Sequence, residues 1–277
     1  MTTRIVVGLV ALPLVLVPVW LGGVWVLLLV LFIASLAGYE FFAMMRKGGF
    51  RPNMWLGISW LLLIILHFGA SLLPNSLAFL QTFVALPLIF NIGLFLTLFW
   101  ALFQTEKPLL GWMSTCLGAV YIGFLSGQIL SLRLLENGLW WLILGIFITW
   151  MNDTTAYFTG VTIGRNKLWP RLSPKKTWEG TVAGWLGAAL VGGLLTWLSP
   201  LHAGFLFGFW VGAIGGVFAL LGDLSVSMFK RQVGVKDSGW LFPGHGGMLD
   251  RMDSILFVLP FIYQVVTFLE IGLGSQS

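Results

Sequence analysis

Acids, bases and glycines crowd into one stretch of an otherwise apolar chain, from Gly222 to Asp253. It reads Gly-Asp-Leu-Ser-Val-Ser-Met-Phe-Lys-Arg, then Gln-Val-Gly-Val-Lys-Asp-Ser-Gly, then Trp-Leu-Phe-Pro-Gly-His-Gly-Gly-Met-Leu-Asp-Arg-Met-Asp. Asp223, Ser227, Lys230 and Arg231 fall at i, i+4, i+7 and i+8, which makes one polar stripe on a helix. At a membrane boundary such a stripe has to face protein or water rather than lipid. The chain that follows adds Lys236, Asp237, His245, Asp250, Arg251 and Asp253. Carboxylates mixed with Lys and Arg suit Mg²⁺ and phosphate together: hard oxygen ligands for the metal, fixed cations for the phosphate oxygens. Pro243-Gly244-His245-Gly246-Gly247 lets backbone approach a ligand, because glycine carries no Cβ. The bland alternative is a network of structural salt bridges.

Two further segments carry polar chemistry. In Ser173-Pro174-Lys175-Lys176-Thr177-Trp178-Glu179-Gly180, two lysines and two hydroxyls precede a predicted helix. A helix start favours anions through its free N–H groups and dipole, so the segment reads as a triphosphate cradle. Positive charge in a cytoplasmic loop would explain the lysines alone, but not the Ser-Pro and Thr-Trp-Glu-Gly around them. Asp153, with Tyr157 one turn on, sits in an apolar helix, where a carboxylate needs a partner, water or a cation. The expectation is a cavity lining; the alternative is a hydrogen-bonded helix-packing site. Glu40 and His67 are read as structural, Glu40 by snorkelling at a helix end, and Trp20, Trp25, Trp140 and Trp141 as an aromatic belt. No Walker A sequence and no Gly-x-Gly-x-x-Gly is present, and the single cysteine, Cys116, forbids an internal disulfide.

Elements that hold these groups have to be membrane helices. Hydrophobic residues make up 58% of the 277, charged residues 9%, and mean hydropathy is +0.95. A soluble domain carries about 25% charge, so a cytosolic globule, a disordered chain and a nucleic-acid-binding domain are excluded. A span needs ~20 apolar residues. Residues 5–39 are uncharged and too long for one span, so Gly22-Gly23 is the break. The same reasoning divides 52–105 at Leu73-Pro74-Asn75-Ser76 and 180–222 at Ser199-Pro200-Leu201-His202. Nine helices follow, at about 5–21, 24–45, 54–73, 78–102, 108–132, 137–162, 179–198, 204–230 and 254–269. The fold class is all-α, a polytopic integral membrane protein, with helices one to five (1–135) a scaffold and the rest (136–277) bearing the catalytic loops. This count puts 14 of the 15 Lys and Arg residues on one side and Arg133 alone on the other. The positive-inside rule then makes the N-terminus and the polar loops cytoplasmic and the C-terminus external. No cleavable signal peptide is expected, the first apolar stretch being far longer than an h-region.

At Ser227 to Asp253 the chain resembles the phosphatidate cytidylyltransferase (CDP-diacylglycerol synthase) family. The family pattern is Ser-x-apolar-Lys-Arg, four residues, Lys-Asp, then Pro-x-His-Gly-Gly-x-x-Asp-Arg-x-Asp, and it is filled without a gap. Ser173 to Gly180 and Asp153-x-x-Ala156-Tyr157-x-x-Gly160 are also similar to the family's segments. One departure is Val161, where the family often has Arg. The resemblance implies attack of phosphatidate on the α-phosphate of CTP, with loss of pyrophosphate, at the cytoplasmic face of a cell membrane. It favours Asp223 and Asp250 as ligands of Mg²⁺, with room for a second metal ion, and implies a homodimer. Lys175, Lys176, Lys230, Arg231 and Lys236 would hold phosphates, with Arg251 beside them in the catalytic set. Asp153, Tyr157, Ser173, Ser227, Asp237, His245 and Asp253 complete the expected substrate contacts. The partners are therefore CTP, phosphatidate and the bilayer, with no nucleic acid.

Two readings compete with this one. An ion-coupled transporter would explain isolated acids in spans, but it does not call for Lys-Asp, His-Gly-Gly and Asp-Arg in one loop, and no inverted repeat is visible. A membrane transferase for another nucleotide or lipid alcohol remains the second. The topology makes the first prediction. In a Cys116-free background, Asp237→Cys should react with an impermeant thiol reagent only from the cytoplasmic side. Labelling from outside in intact cells would overturn the orientation.

Overall fold

The computed structural model describes residues 13–73, 85–239 and 246–274. Helices occupy all nine expected intervals among these residues. Residues 13–21 are helical (α1) and are followed by α2 (Gly23–Lys47), α3 (Met54–Phe68), α4 (Leu86–Leu102), α5 (Pro108–Leu134) and α6 (Gly138–Thr162). Then come α7 (Trp178–Leu198), α8 (Phe205–Gln232), the one-turn α9 (Leu249–Met252) and α10 (Ile255–Gly274). Five of the described stretches are long and apolar enough to cross a membrane: α2, α5, α7, α8 and Leu249–Leu269. Helices α3 and α4 are apolar but shorter, and α3, with its 15 residues, is followed by a 3₁₀ turn at Ala70–Leu72 instead of running on to 73.

The predicted breaks have visible causes. Gly22 and Gly23 take φ of 67° and 54°, a left-handed geometry that glycine tolerates and that stops α1 before α2 begins. Ser199 leaves the helix in an extended conformation, and His202 and Gly204 take φ of 47° and 82° before α8 starts. The Pro74-Asn75-Ser76 break lies outside the described residues. One element was not foreseen. Lys167–Trp169 (β1) and Ser173–Thr177 (β2) pair antiparallel in the connection between α6 and α7. Pro174 is tolerated there because a two-stranded ribbon consists of edges alone.

The chain divides into two compact units. The first comprises residues 1–131 and 229–252, the second 132–228 and 253–277. In the first, Phe41, Phe42, Leu61, Ile64, Ile65, Ile122 and Leu130 are fully buried. Glycines admit aromatic rings into its helix contacts: a Cβ on Gly57 would collide with Phe42, and one on Gly93 with Trp60. Phe229, at the end of α8, lies edge-to-face with Phe41 and Tyr121 at 5.6 and 5.7 Å. Three connections meet at one end of this unit. Arg51 pairs with Glu106 at 2.6 Å, Gly49 lies near the Lys107 ammonium, and Gly48 packs on Val233.

Backbones approach more closely still in the second unit. Gly180, Gly184 and Gly187 form a stripe on α7 that lies against Ala156, Asn152 and Thr155 of α6. Gly192 meets Gly208 and Gly212 of α8, where a Cβ would strike carbonyl oxygens. Small residues let van der Waals packing hold helices together where lipid supplies no hydrophobic drive. Trp141 departs from the expected aromatic belt. It is 9% exposed and packs edge-to-face on Phe207, whereas Trp20 and Trp25 are 70% and 58% exposed.

Candidate active site

In the second unit, the cradle segment is built from the cap of α7. Thr177 is extended, and its Oγ1 accepts the Gly180 N–H at 3.2 Å. Glu179, in the first turn, accepts from the Asn166 backbone N–H at 3.1 Å and from its Nδ2 at 2.7 Å. Those bonds clamp the start of β1 to the start of α7. Gly160 and Gly164 leave room for Thr177, since a Cβ on Gly164 would crowd its hydroxyl. The lysines therefore leave a braced strand: Lys175 is exposed, while Lys176 reaches Asp223 and pairs with Oδ2. Ser227 is buried, and its hydroxyl donates to Asp223 Oδ1 at 3.3 Å. Gly222 carries no Cβ because the Asp253 carbonyl passes against it, which seats Asp223 beside the start of the last helix segment. The Asp253 carboxylate caps locally, accepting the Ser254 N–H at 2.6 Å.

Ser173, Asp153 and Tyr157 are the other expected residues of this unit. Ser173 opens β2 and is half-buried. Asp153 is exposed on α6 and accepts from Asn152 Nδ2 at 3.4 Å, and Tyr157 is 66% exposed.

In the first unit the stripe of α8 continues with Lys230, whose Nζ donates to Asp250 Oδ1 at 2.7 Å. The two side chains are 12% and 7% exposed. Asp250 Oδ2 accepts from the Ser238 N–H at 2.8 Å, the Ser238 hydroxyl at 2.9 Å and the Gly247 N–H at 3.0 Å. Gly246, at φ 84°, turns the backbone so that this carboxylate lies over it. Arg231 is exposed and donates to the Val235 carbonyl at 3.1 Å. Lys236, Asp237 and Arg251 are exposed. His245 lies outside the described residues, as do Pro243 and Gly244.

One residue of this cluster escaped the sequence reading. Glu40 is 7% exposed and does not snorkel. Its Oε2 accepts the Ser238 hydroxyl at 3.1 Å and the Leu249 N–H at 2.9 Å. The sequence signal was present: an acid preceded by more than thirty uncharged residues, in a helix otherwise built for burial.

For a metal, the two acids differ. No group of three or more His, Cys, Asp or Glu gathers among the described residues. Asp223 has room for a divalent cation: its carboxylate is 28% exposed, with Lys176 on Oδ2 and the Ser227 hydroxyl on Oδ1. Protein ligands alone would be few, which suits Mg²⁺ completed by water and substrate phosphates. Asp250 Oδ2 is enclosed by three protein donors while Oδ1 has Lys230 alone, so a metal would meet this carboxylate at Oδ1, beside Lys230 or in its place.

A sequence model described as the cytidylyltransferase family matches residues 2–269. A phosphatidate cytidylyltransferase of Bacillus subtilis is 40% identical over 148 residues, 53% of this chain and 55% of that protein. One from Staphylococcus epidermidis is 44% identical over 127 residues, 46% and 49% of the two chains. One from Synechocystis is 38% identical over 199 residues, 62% and 68%. The matched stretches thus span about half the length of the first two relatives.

The two ion pairs predict unequal costs. Breaking a buried pair strands a charge and typically costs about 3 kcal/mol or more, while a partly solvated pair is worth about 1 kcal/mol or less. Lys230→Met should therefore lower the melting temperature in detergent markedly, and Lys176→Met only slightly. Equal shifts for the two variants would show that Asp250 does not depend on its lysine.

Proposed function

The chain belongs to the cytidylyltransferase family, and we propose that it is a phosphatidate cytidylyltransferase of a cell membrane, joining CTP and phosphatidate into CDP-diacylglycerol and pyrophosphate. A phosphate oxygen of the lipid attacks the α-phosphorus of CTP. The bond from that phosphorus to the β-phosphate oxygen breaks, and pyrophosphate leaves with the electron pair. The nucleophile is already ionised, so the demand is for positioning and for cations that quench repulsion between polyanions.

The observation that carries this reading is the Lys176–Asp223 pair with Ser227. It sets a phosphate-binding cation against a metal-binding carboxylate on a braced hairpin and a rigid helix. Lys176 is poised to exchange Asp223 for a triphosphate oxygen, and Lys175 projects from the same strand. Lys230, Arg231 and Lys236 supply further cations for phosphates. Asp223 is the ligand whose surroundings favour Mg²⁺. Asp250 is assigned as a ligand by its place in the motif, with Lys230 turning from it to a phosphate. Bound Mg²⁺ would supply charge neutralisation on the phosphate oxygens. Nine spans, with the polar connections cytoplasmic, would let CTP enter from water and phosphatidate from the leaflet. Support for that orientation comes from the meeting of the 46–53, 103–108 and 233 connections at one end of the first unit. Likeness to the family extends the reading to a homodimer.

Purified protein given phosphatidate, Mg²⁺ and each of the four nucleoside triphosphates in turn tests the reaction. CTP alone should release pyrophosphate, EDTA should stop it, and Mg²⁺ should restore it. Asp223→Asn and Asp250→Asn keep shape and remove charge, so turnover should fall by about a hundredfold or more, several kcal/mol of transition-state stabilisation. Pyrophosphate release with another nucleotide would move the chain to the second transferase reading. Near-normal turnover by either variant at saturating Mg²⁺ and CTP would mean that the acid serves structure.

A further inference from the structure

We propose that Glu40, in the N-terminal half of the chain, is a positioning residue for the loop that carries Asp250; its catalytic meaning rests on the transferase reading above. Its contacts lie 198 and 209 residues away along the chain, at Ser238 and Leu249. Along the chain they flank residues 240–245, one before and one after. Both sides close on the same carboxylate. A Cβ on Gly239 would collide with one Glu40 oxygen, and a Cβ on Gly247 with the other. Glycine at these two positions is what lets backbone come so near a side chain.

The same loop atoms serve Asp250. The Ser238 hydroxyl lies within 3.1 Å of Glu40 Oε2 and 2.9 Å of Asp250 Oδ2. A hydroxyl has one proton to give. Asp250 keeps the Ser238 and Gly247 backbone donors whichever way that proton turns, so the hydroxyl can serve Glu40 without stripping Asp250. Leu249 is fully buried, and its N–H has Glu40 as its partner. Removing the acceptor would leave a buried donor unpaired, and the chain between Gly247 and Asp250 would relax to find water. Helix α2 holds the other half of the ion pair as well. Phe41 packs on Phe229, the neighbour of Lys230. Consecutive residues of one helix thus set both Asp250 and the end of α8.

A satisfied carboxylate with no bearing on turnover is the competing account, and kinetics separate the two. Glu40→Ala should lower kcat tenfold or more per folded molecule while the CTP KM stays within about threefold, since an interaction felt at the reacting centre is lost and ground-state binding is not. Glu40→Gln retains an acceptor oxygen at the same reach and should restore kcat to within about threefold of the parent. Glu40→Asp keeps the carboxylate but draws it back one methylene, so it should resemble Ala; it also replaces Ala if that variant does not fold. Hydrogen exchange read on a peptide spanning 246–252 provides a readout without turnover. Its amides should exchange about tenfold faster in the Ala or Asp variant and at the parental rate in Gln. Parental kcat and exchange in Ala or Asp would overturn the proposal, as would a Gln variant as slow as Ala. A parent protein that makes no CDP-diacylglycerol sinks the transferase reading instead, and the exchange arm then decides alone whether Glu40 holds the loop.

Discussion

A carboxylate withdrawn from water has to be matched donor for donor, and the Asp250 side chain, 7% exposed, meets that demand with the Lys230 ammonium, two backbone N–H groups and a hydroxyl it shares with Glu40. Each donor comes with a structural obligation. Lys230 has to arrive on the last turn of a long apolar helix. Ser238 has to present backbone and hydroxyl together. Gly247 has to bring its N–H where a side chain would not fit, after a left-handed turn at Gly246. Glu40 then closes the shell from a different helix by holding Ser238 and Leu249. Loop, helix end and N-terminal scaffold are in this way conditions on one buried charge. In a low-dielectric setting, incomplete satisfaction of such a network would be more costly than an apolar core.

The second unit solves a different problem. Asp223 is about a quarter exposed and is matched by one lysine and one hydroxyl, so its surroundings leave coordination open. Precision comes from packing. Glycines on α7 and α8 bring helix backbones into contact, and Thr177 with Glu179 ties a short ribbon to a helix start. Lys176 therefore projects from a strand with little freedom, and a cation that exchanges partners needs such a base if its reach is to be reproducible. Among the described residues, a carboxylate enclosed by donors contrasts with a more open one, each with its own lysine.

Much of this was legible beforehand. Uncharged run lengths and the Gly22-Gly23 and Ser199-Pro200 breaks located the helices to within a few residues, because burial in lipid leaves little choice but a helix. The polar stripe from Asp223 to Arg231 proved to lie on one helix, α8. The β1–β2 ribbon was not legible: three and five residues holding one proline and three cations look like any polar loop, and only the pairing across Lys167 and Thr177 makes strands of them. Trp141 shows the same blindness, since a tryptophan near a span end fits an interface or a helix contact equally well.

Sequence alone determined the all-α class, roughly where the described helices lie and the family to which the pattern belongs, and it marked the residues proposed for phosphate and metal chemistry. Those properties are local, read from spacing, hydropathy and motif. Tertiary structure decided the partners. Asp223 takes Lys176 from a strand 47 positions earlier, Asp250 takes Lys230 from the helix before it, and Glu40 becomes part of the loop nearly 200 residues on. Partner choice depends on which donors remain once water is excluded. That is set by the folded arrangement of distant segments, and no periodicity along the chain encodes it.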